Sequence, residues 1–223
     1  IASNRTALHN EHDKSIAKKI IQKANIRTAD FFTTEPEEHQ NEMSIPISFP
    51  LFIKPLTGGD SRGVDANSIV YDFLSFQAKV LDIKRKYNLR SLAETYLSGK
   101  EYSVSILQDH SNGNLIAMPI EIVVKKNING HRILDYDIKD NDHEKVIEVS
   151  DRKIFNQLSD LAKNAFTALG GKSLGRIDIK MDHCSVPHFI EANLMPGLRK
   201  GYFYRSCLLK LNMSYEQMIL TVA

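Results

Sequence analysis

Residues 175–197 read GRIDIKMDHCSVPHFIEANLMPG, and their alternation decides the fold class. In residues 175–182, Ile177, Ile179 and Met181 alternate with Arg176, Asp178 and Lys180. In residues 188–194, Ile190, Ala192 and Leu194 alternate with Glu191 and Asn193. A period of two sends successive side chains to opposite faces, so each segment reads as a strand with one apolar and one polar face. A hairpin turn over residues 182–187 puts Asp178 opposite or diagonal to Glu191 and Asn193. Like charges facing each other across a strand pair are destabilising, and a cation between them removes the conflict. Two carboxylates and an amide carbonyl make an all-oxygen set that suits a hard ion such as Mg²⁺. The competing reading is a solvated sheet face neutralised by Arg176 and Lys180, a common state of half-wet antiparallel sheets. Alternation alone leaves both open. Pro196-Gly197 then breaks the second strand.

Outward from this pair, SDRKIFNQLSDLAKNAFTALGG spells a helix capped by Ser150 and ended at Gly170-Gly171. EYSVSIL alternates as a strand with one wet face, and SLAETYL reads as a buried strand. LIAMPIEIVV is a further strand whose Pro119 points to an edge or bulge. A helical pattern runs from Ser68 to Tyr87, preceded by FPLFIKP, a short apolar strand bounded by prolines. Asp13 caps a helix through KSIAKKIIQKAN, with Ile16, Ile20, Ile21 and Ala24 as its apolar face. SYEQMILTV closes the chain as a helix, and TTEPEEHQNEMS and DYDIKDNDHEK are loops. Helices inserted among mostly antiparallel strands predict an α+β fold in two lobes, residues 1–98 and 99–223.

Composition narrows the function classes. The 223 residues are 42% hydrophobic and 25% charged, ordinary for a globular protein. A formal charge of +2 with both signs interspersed argues against a dedicated nucleic-acid binder. No apolar run approaches the roughly eighteen residues of a membrane helix. Cys184 and Cys207 make no disulfide framework, so a cytoplasmic location is expected. His183, Cys184 and His188 lack the second pair that zinc sites require. The chain opens on Ile1 rather than Met, and a fragment is expected.

KPLTGGDSRGV follows a strand, as phosphate loops often do. Gly58 and Gly63 have the Walker A separation, but Val64-Asp65 stands where Lys-Ser/Thr is required. The glycines can still close backbone N–H groups around an anion, with Lys54 reaching the same phosphates. A plain turn with a surface lysine explains the pattern equally well. Lys18 lies on the polar side of its helix with Lys14, Lys19 and Lys23, and Lys139 sits in an acidic loop; periodicity favours neither.

Taken in order, DKSIAK, FPLFIKP, TGGDSRG, LAETYLSGKEYSV, DYDIKD, GRIDIK and FIEANLMPG resemble the ATP-grasp ligases, most closely the D-alanine–D-alanine ligase branch. The resemblance runs from Asp13 to the end of the chain. It implies two lobes with mostly antiparallel sheets clasping a nucleotide. It matches Lys18 and Lys54 to lysines on the nucleotide phosphates, and Gly59 and Ser61 to the loop covering the β- and γ-phosphates. Glu94, Thr95, Tyr96 and Leu97 match the segment gripping adenine, and Glu101 the carboxylate on the ribose hydroxyls. Lys139 matches a lysine near the γ-phosphate. Asp178, Glu191 and Asn193 match ligands of Mg²⁺, two ions in all, with Mn²⁺ as a substitute. Arg176 and Gly197 match groups steadying an oxyanion. The implied reaction is ATP-dependent acid–amine ligation through an acyl phosphate, in peptidoglycan-type chemistry, on small amino-acid or dipeptide-type substrates. The longer protein is expected to be a homodimer, with no membrane or nucleic-acid partner.

Two departures fall on the acceptor side. Tyr202 stands where a serine holds the acceptor's carboxylate, and Asp140 replaces a loop tyrosine. An acid and amine other than two D-alanines, or a nucleotide-binding module without catalysis, are the alternatives. The family's N-terminal domain has no counterpart before Asp13, so an incomplete substrate site is expected.

Overall fold

The computed structural model describes residues 3–59, 61–109, 111–125, 130–134 and 144–222. Lys139 and Asp140, both singled out from the sequence, lie outside the described residues. In chain order the elements begin with α1 (Arg5–His12), α2 (Lys14–Lys23), β1 (Phe31–Thr34), β2 (Leu51–Pro55), β3 (Ile69–Val70), α3 (Phe73–Tyr87) and β4 (Ser91–Thr95). They continue with β5 (Glu101–Gln108), β6 (Leu115–Val123), β7 (Lys145–Glu148), α4 (Arg152–Ala168), β8 (Leu174–Met181), β9 (Pro187–Asn193), α5 (Tyr202–Leu211) and α6 (Tyr215–Val222). The fold is α+β: two sheets, both antiparallel in every described strand pair, ordered β1-β4-β2-β3 and β7-β6-β5-β8-β9. No helix among the described residues is long and apolar enough to cross a membrane.

Each sheet buries one face under a helix. In the smaller, Leu51, Ile53 and Ala93 meet Phe76, Val80 and Ile83 of α3. In the larger, Val104, Ile106, Ile177 and Ile179 meet Leu158, Ala162, Ala165 and Phe166 of α4. Burying the Val, Leu, Ile and Phe side chains among these stabilises each lobe by about 1.5–3 kcal/mol apiece. The opposite face of the larger sheet is divided. Helices α5 and α6 cover one part through Phe203, Cys207 and Met218, and the rest looks toward the smaller sheet.

Several expectations are corrected. The N-terminal helices do not share a core with the smaller sheet: Ala7, Ala17 and Ile21 pack in the core of the larger one, so residues 1–98 are not one packing unit. Asp13 caps α2 as expected, accepting from the N–H groups of Ser15 and Ile16. The buried side of α2, however, is Ala17, Lys18 and Ile21, and Ala24 is exposed, because Lys18 has a carboxylate partner inside. Helix α3 starts at Phe73 rather than Ser68, because Asp72 and Ser75 form a capping box there and Ile69–Val70 pairs with β2. Asp151, not Ser150, caps α4. Pro119 sits in an interior strand, but β7 reaches only as far as Ile120, so the missing N–H costs no ladder bond to that neighbour.

The decisive hairpin has the expected partners and an unexpected bulge. Asp178 pairs with Glu191 and Arg176 with Asn193, but Ile179 pairs with Phe189. The extra residue is Ile190, and the alternation predicted through it fails. A bulge reverses the facing of what precedes it. Phe189 therefore occupies the core and Ile190 turns to the cleft beside Glu191.

Candidate active site

The two sheets face each other across an open cleft. Lys54, Gly59, Ser61, Glu94, Thr95, Tyr96, Leu97, Glu101, Asp178 and Glu191 all line it. Ten residues singled out from the sequence thus meet on one surface from five separate segments.

Lys18 is not among them. Its side chain is fully buried, with Nζ 2.8 Å from Glu94 Oε2 and 2.5 Å from Thr28 Oγ1. Glu94 bridges it to Lys54, whose Nζ is 2.8 Å from Oε1. Burial opposes ionisation of Glu94, but the two ammonium groups win and hold the carboxyl at about 2. The same burial draws Lys18 below the usual lysine range, while Lys54, which also feels Glu191, is held above it. Lys18 is therefore a support beneath Glu94 and Lys54, and Lys14, for which no role was expected, lines the cleft in the place expected of Lys18. The start of α2 docks on the glycine loop: Lys14 donates its backbone N–H to Leu56 O and its Nζ to Gly58 O at 2.6 Å. Burial lowers the Lys14 ammonium from its ordinary range. The signal available in the sequence was position: Lys14 is the first residue after the cap, where a helix meets anions.

The loop after β2 turns through left-handed backbone at Gly58 (φ 96°), Ser61 (φ 56°) and Gly63 (φ 77°). At Gly63 a Cβ would come within 2.6 Å of Pro55 Cγ, so the tight return needs glycine.

On the larger sheet, β5 and β8 supply the facing wall. Arg176 donates from Nε to Asp178 Oδ1 at 3.0 Å and from Nη2 to Oδ2 at 2.9 Å. Ser103 of β5, missed in the sequence because its strand read as merely half-wet, donates to Asp178 Oδ1 at 2.7 Å. Burial works against the Arg176 charge, but Asp178 more than compensates and raises its ionisation range. Glu101 is paired with Lys180 at 2.8 Å. Arg176, Asn193 and Gly197 are not among the residues that line the cleft. Asn193 Oδ1 accepts from Met195 N–H at 3.2 Å, and Gly197 is exposed past the strand end. Glu11 of α1 accepts from Leu194 N–H and ties this strand end down; burial lifts its carboxyl to about 7.

The surroundings of Tyr202 differ in character. The Arg176 guanidinium lies 5.6 Å from the centre of the Tyr202 ring. Burial, together with the Glu144 carboxylate, pushes the Tyr202 hydroxyl above its usual range.

The donor chemistry fits a hard cation. Asp178 and Glu191 present oxygens from opposed positions, and Lys14, Lys54 and Arg176 add positive charge around Glu191. No group of three or more His, Cys, Asp or Glu side chains able to hold a metal occurs among the described residues. A divalent ion here would therefore take two carboxylates and complete its shell with an amide oxygen, water or phosphate, as Mg²⁺ commonly does. The zinc ligands considered above do not converge either; His188 Nδ1 faces Val186 O at 2.9 Å.

A cleft between two antiparallel sheets, with a glycine loop and lysines on one side and opposed carboxylates on the other, defines the ATP-grasp class. The family model for the D-ala D-ala ligase C-terminus matches residues 20–222, and the chain belongs to that family. It is 26% identical over 212 residues to D-alanine--D-alanine ligase B of Clostridium perfringens, covering 93% of this chain and 65% of that protein. It is 29% identical over 231 residues to the D-alanine--D-alanine ligase of Limosilactobacillus reuteri, covering 98% of this chain and 58% of that protein. The chain thus spans less than two thirds of the length of these relatives. Among solved structures, the Bacillus anthracis D-alanine--D-alanine ligase complexed with ATP superposes with a TM-score of 0.77 at 22% identity, over 99% of this chain and 67% of that one. The VanG D-Ala:D-Ser ligase of Enterococcus faecalis gives 0.78 at 19% identity, over 100% and 63%. These establish the ATP-grasp fold.

Proposed function

We propose that the protein is an ATP-dependent ligase that joins a small carboxylic acid to an amine through an acyl phosphate. The observation that carries this reading is convergence: Lys14, Lys54 and the glycine loop face Asp178 and Glu191 across one cleft. Lys14, Lys54 and the loop N–H groups hold the phosphates, with Lys18 and Glu94 fixing Lys54 in place. Tyr96 and Leu97 flank the base and Glu101 takes the ribose, with Lys180 steadying it. Asp178 and Glu191, assisted by Asn193, would hold Mg²⁺, which when bound neutralises phosphate charge.

Phosphoryl transfer to the substrate carboxylate leaves ADP, and attack of the amine on the activated carbonyl expels phosphate. Arg176, locked by Asp178, and the Gly197 amide steady the oxyanion, each such donor being worth about 3–4 kcal/mol. The lobes part near residues 98–100, with α1 and α2 riding on the larger one.

A specific observation favours a pair other than two D-alanines. Tyr202 fills the serine position with a bulky ring beside Arg176, so no short hydroxyl is offered to an acceptor carboxylate. ADP release by the full chain, measured against a panel of D- and L-amino acids with and without amines, tests both points. Release that needs acid and amine together supports the ligase. Nucleotide binding without turnover for any acid would favour the binding module instead.

A further inference from the structure

Three rings from separate segments meet beside the cleft. His131 Nε2 lies 2.7 Å from Tyr71 Oη, and Nδ1 lies 3.4 Å from Tyr96 Oη. The imidazole tilts at 32° to the Tyr71 ring with centroids 6.0 Å apart, and meets Tyr96 edge-on at 5.7 Å. Tyr71 follows β3 and Tyr96 follows β4, so both extend directly from strands of the smaller sheet. His131 comes from between β6 and β7 of the larger sheet. Two and three residues further on, Ile133 and Leu134, 5% and 7% exposed, form part of the cleft wall. Leu134 also packs on Ile120, Ile122 and Val124, so this segment is anchored in the larger lobe below and joined to the smaller lobe above.

The chemistry suits a two-sided tie. A neutral imidazole donates through one nitrogen and accepts through the other, while a phenol hydroxyl does both, so the two contacts form with either tautomer. Ile133, Leu134, Leu97 and Phe52 give the cleft an apolar stretch on which a flat base can lie.

We propose that His131 is a positioning residue for the nucleotide, a strut that ties the segment carrying Ile133 and Leu134 to Tyr71 and Tyr96 and keeps the base from leaving. This rests on the nucleotide reading given above. His131→Ala should raise the Kd for ADP, measured calorimetrically on the full chain, by about tenfold. Turnover at saturating ATP should stay within about twofold, because the strut touches no reacting group. Tyr71→Phe, at a residue outside the cleft lining, should weaken ADP about threefold, and the double variant should be no weaker than His131→Ala alone. Additive losses, or a Kd within about twofold of wild type in His131→Ala, overturn the role. If the wild-type chain binds no ADP, the nucleotide reading itself falls. The strut is then judged in ligand-free protein by amide hydrogen exchange at Ile133 and Leu134. His131→Ala must speed that exchange by about tenfold, and unchanged exchange refutes the strut.

Discussion

Asp178 and Glu191 are register partners on neighbouring strands, two carboxylates directly opposed on the face that looks into the cleft. Arg176 grips both oxygens of Asp178, which leaves Glu191 as the carboxylate with most to gain from a bound cation. Glu191→Gln should leave the metal-free fold intact, with stability changed by less than about 1 kcal/mol, since it removes repulsion from Asp178 together with attraction to Lys14, Lys54 and Arg176. Turnover should fall by about a hundredfold or more. Urea unfolding alongside an ADP-release assay reads both. Unchanged activity contradicts the assignment.

Lys14 and Lys18 should separate cleanly. Lys14→Ala removes a cation from the cleft and should raise nucleotide Kd about tenfold or more, with stability changed by less than about 1 kcal/mol. Lys18→Met removes a fully buried partner of Glu94 and should cost about 2–4 kcal/mol of folding stability. Calorimetry and thermal unfolding on the two variants would show it.

Glu94 gives the protein an acid-sensitive support. Its carboxyl is held at about 2 in the folded chain against an ordinary 4.5. A depressed carboxylate contributes stability that is fully present above pH 4.5 and is lost as pH falls toward 2. Glu94→Gln, which leaves two buried ammonium groups without their counter-charge, should cost roughly 3 kcal/mol at pH 7. In urea melts, the gap between wild type and variant should narrow at pH 3.

The glycine loop offers a contrast within one turn. Gly63→Ala puts a Cβ 2.6 Å from Pro55 Cγ at φ 77° and should cost at least about 1–2 kcal/mol. At Gly59 a Cβ meets nothing within 4 Å, so Gly59→Ala should be neutral to the fold within about 0.5 kcal/mol. Any loss of nucleotide affinity in Gly59→Ala then reports ligand approach to the loop. Chemical unfolding of both variants makes the comparison.

Much of this was legible in the sequence because strand alternation is local. The period of two in residues 175–182 is enough to put Arg176, Asp178 and Lys180 on one face, and they are there. What failed depended on distant partners. Lys18 is indistinguishable from Lys19 on a helical wheel, and what draws it inside is Glu94, from a strand far along the chain, together with Thr28. The bulge at Ile190 follows from Phe189 filling the core, where both residues are apolar and the pattern cannot choose. Glu11 and His131 carry no periodic signal at all. Their roles come from Leu194 and from two tyrosines that meet them only after folding.

The most direct test is calorimetric titration of the chain with a non-hydrolysable ATP analogue, with and without Mg²⁺, in wild type and in Glu191→Gln. We expect saturable binding that Mg²⁺ tightens by about tenfold or more in wild type, and a Mg²⁺ effect that largely disappears in the variant. Binding that ignores Mg²⁺ in wild type, or an undiminished Mg²⁺ effect in Glu191→Gln, would contradict the opposed carboxylates as the seat of the metal.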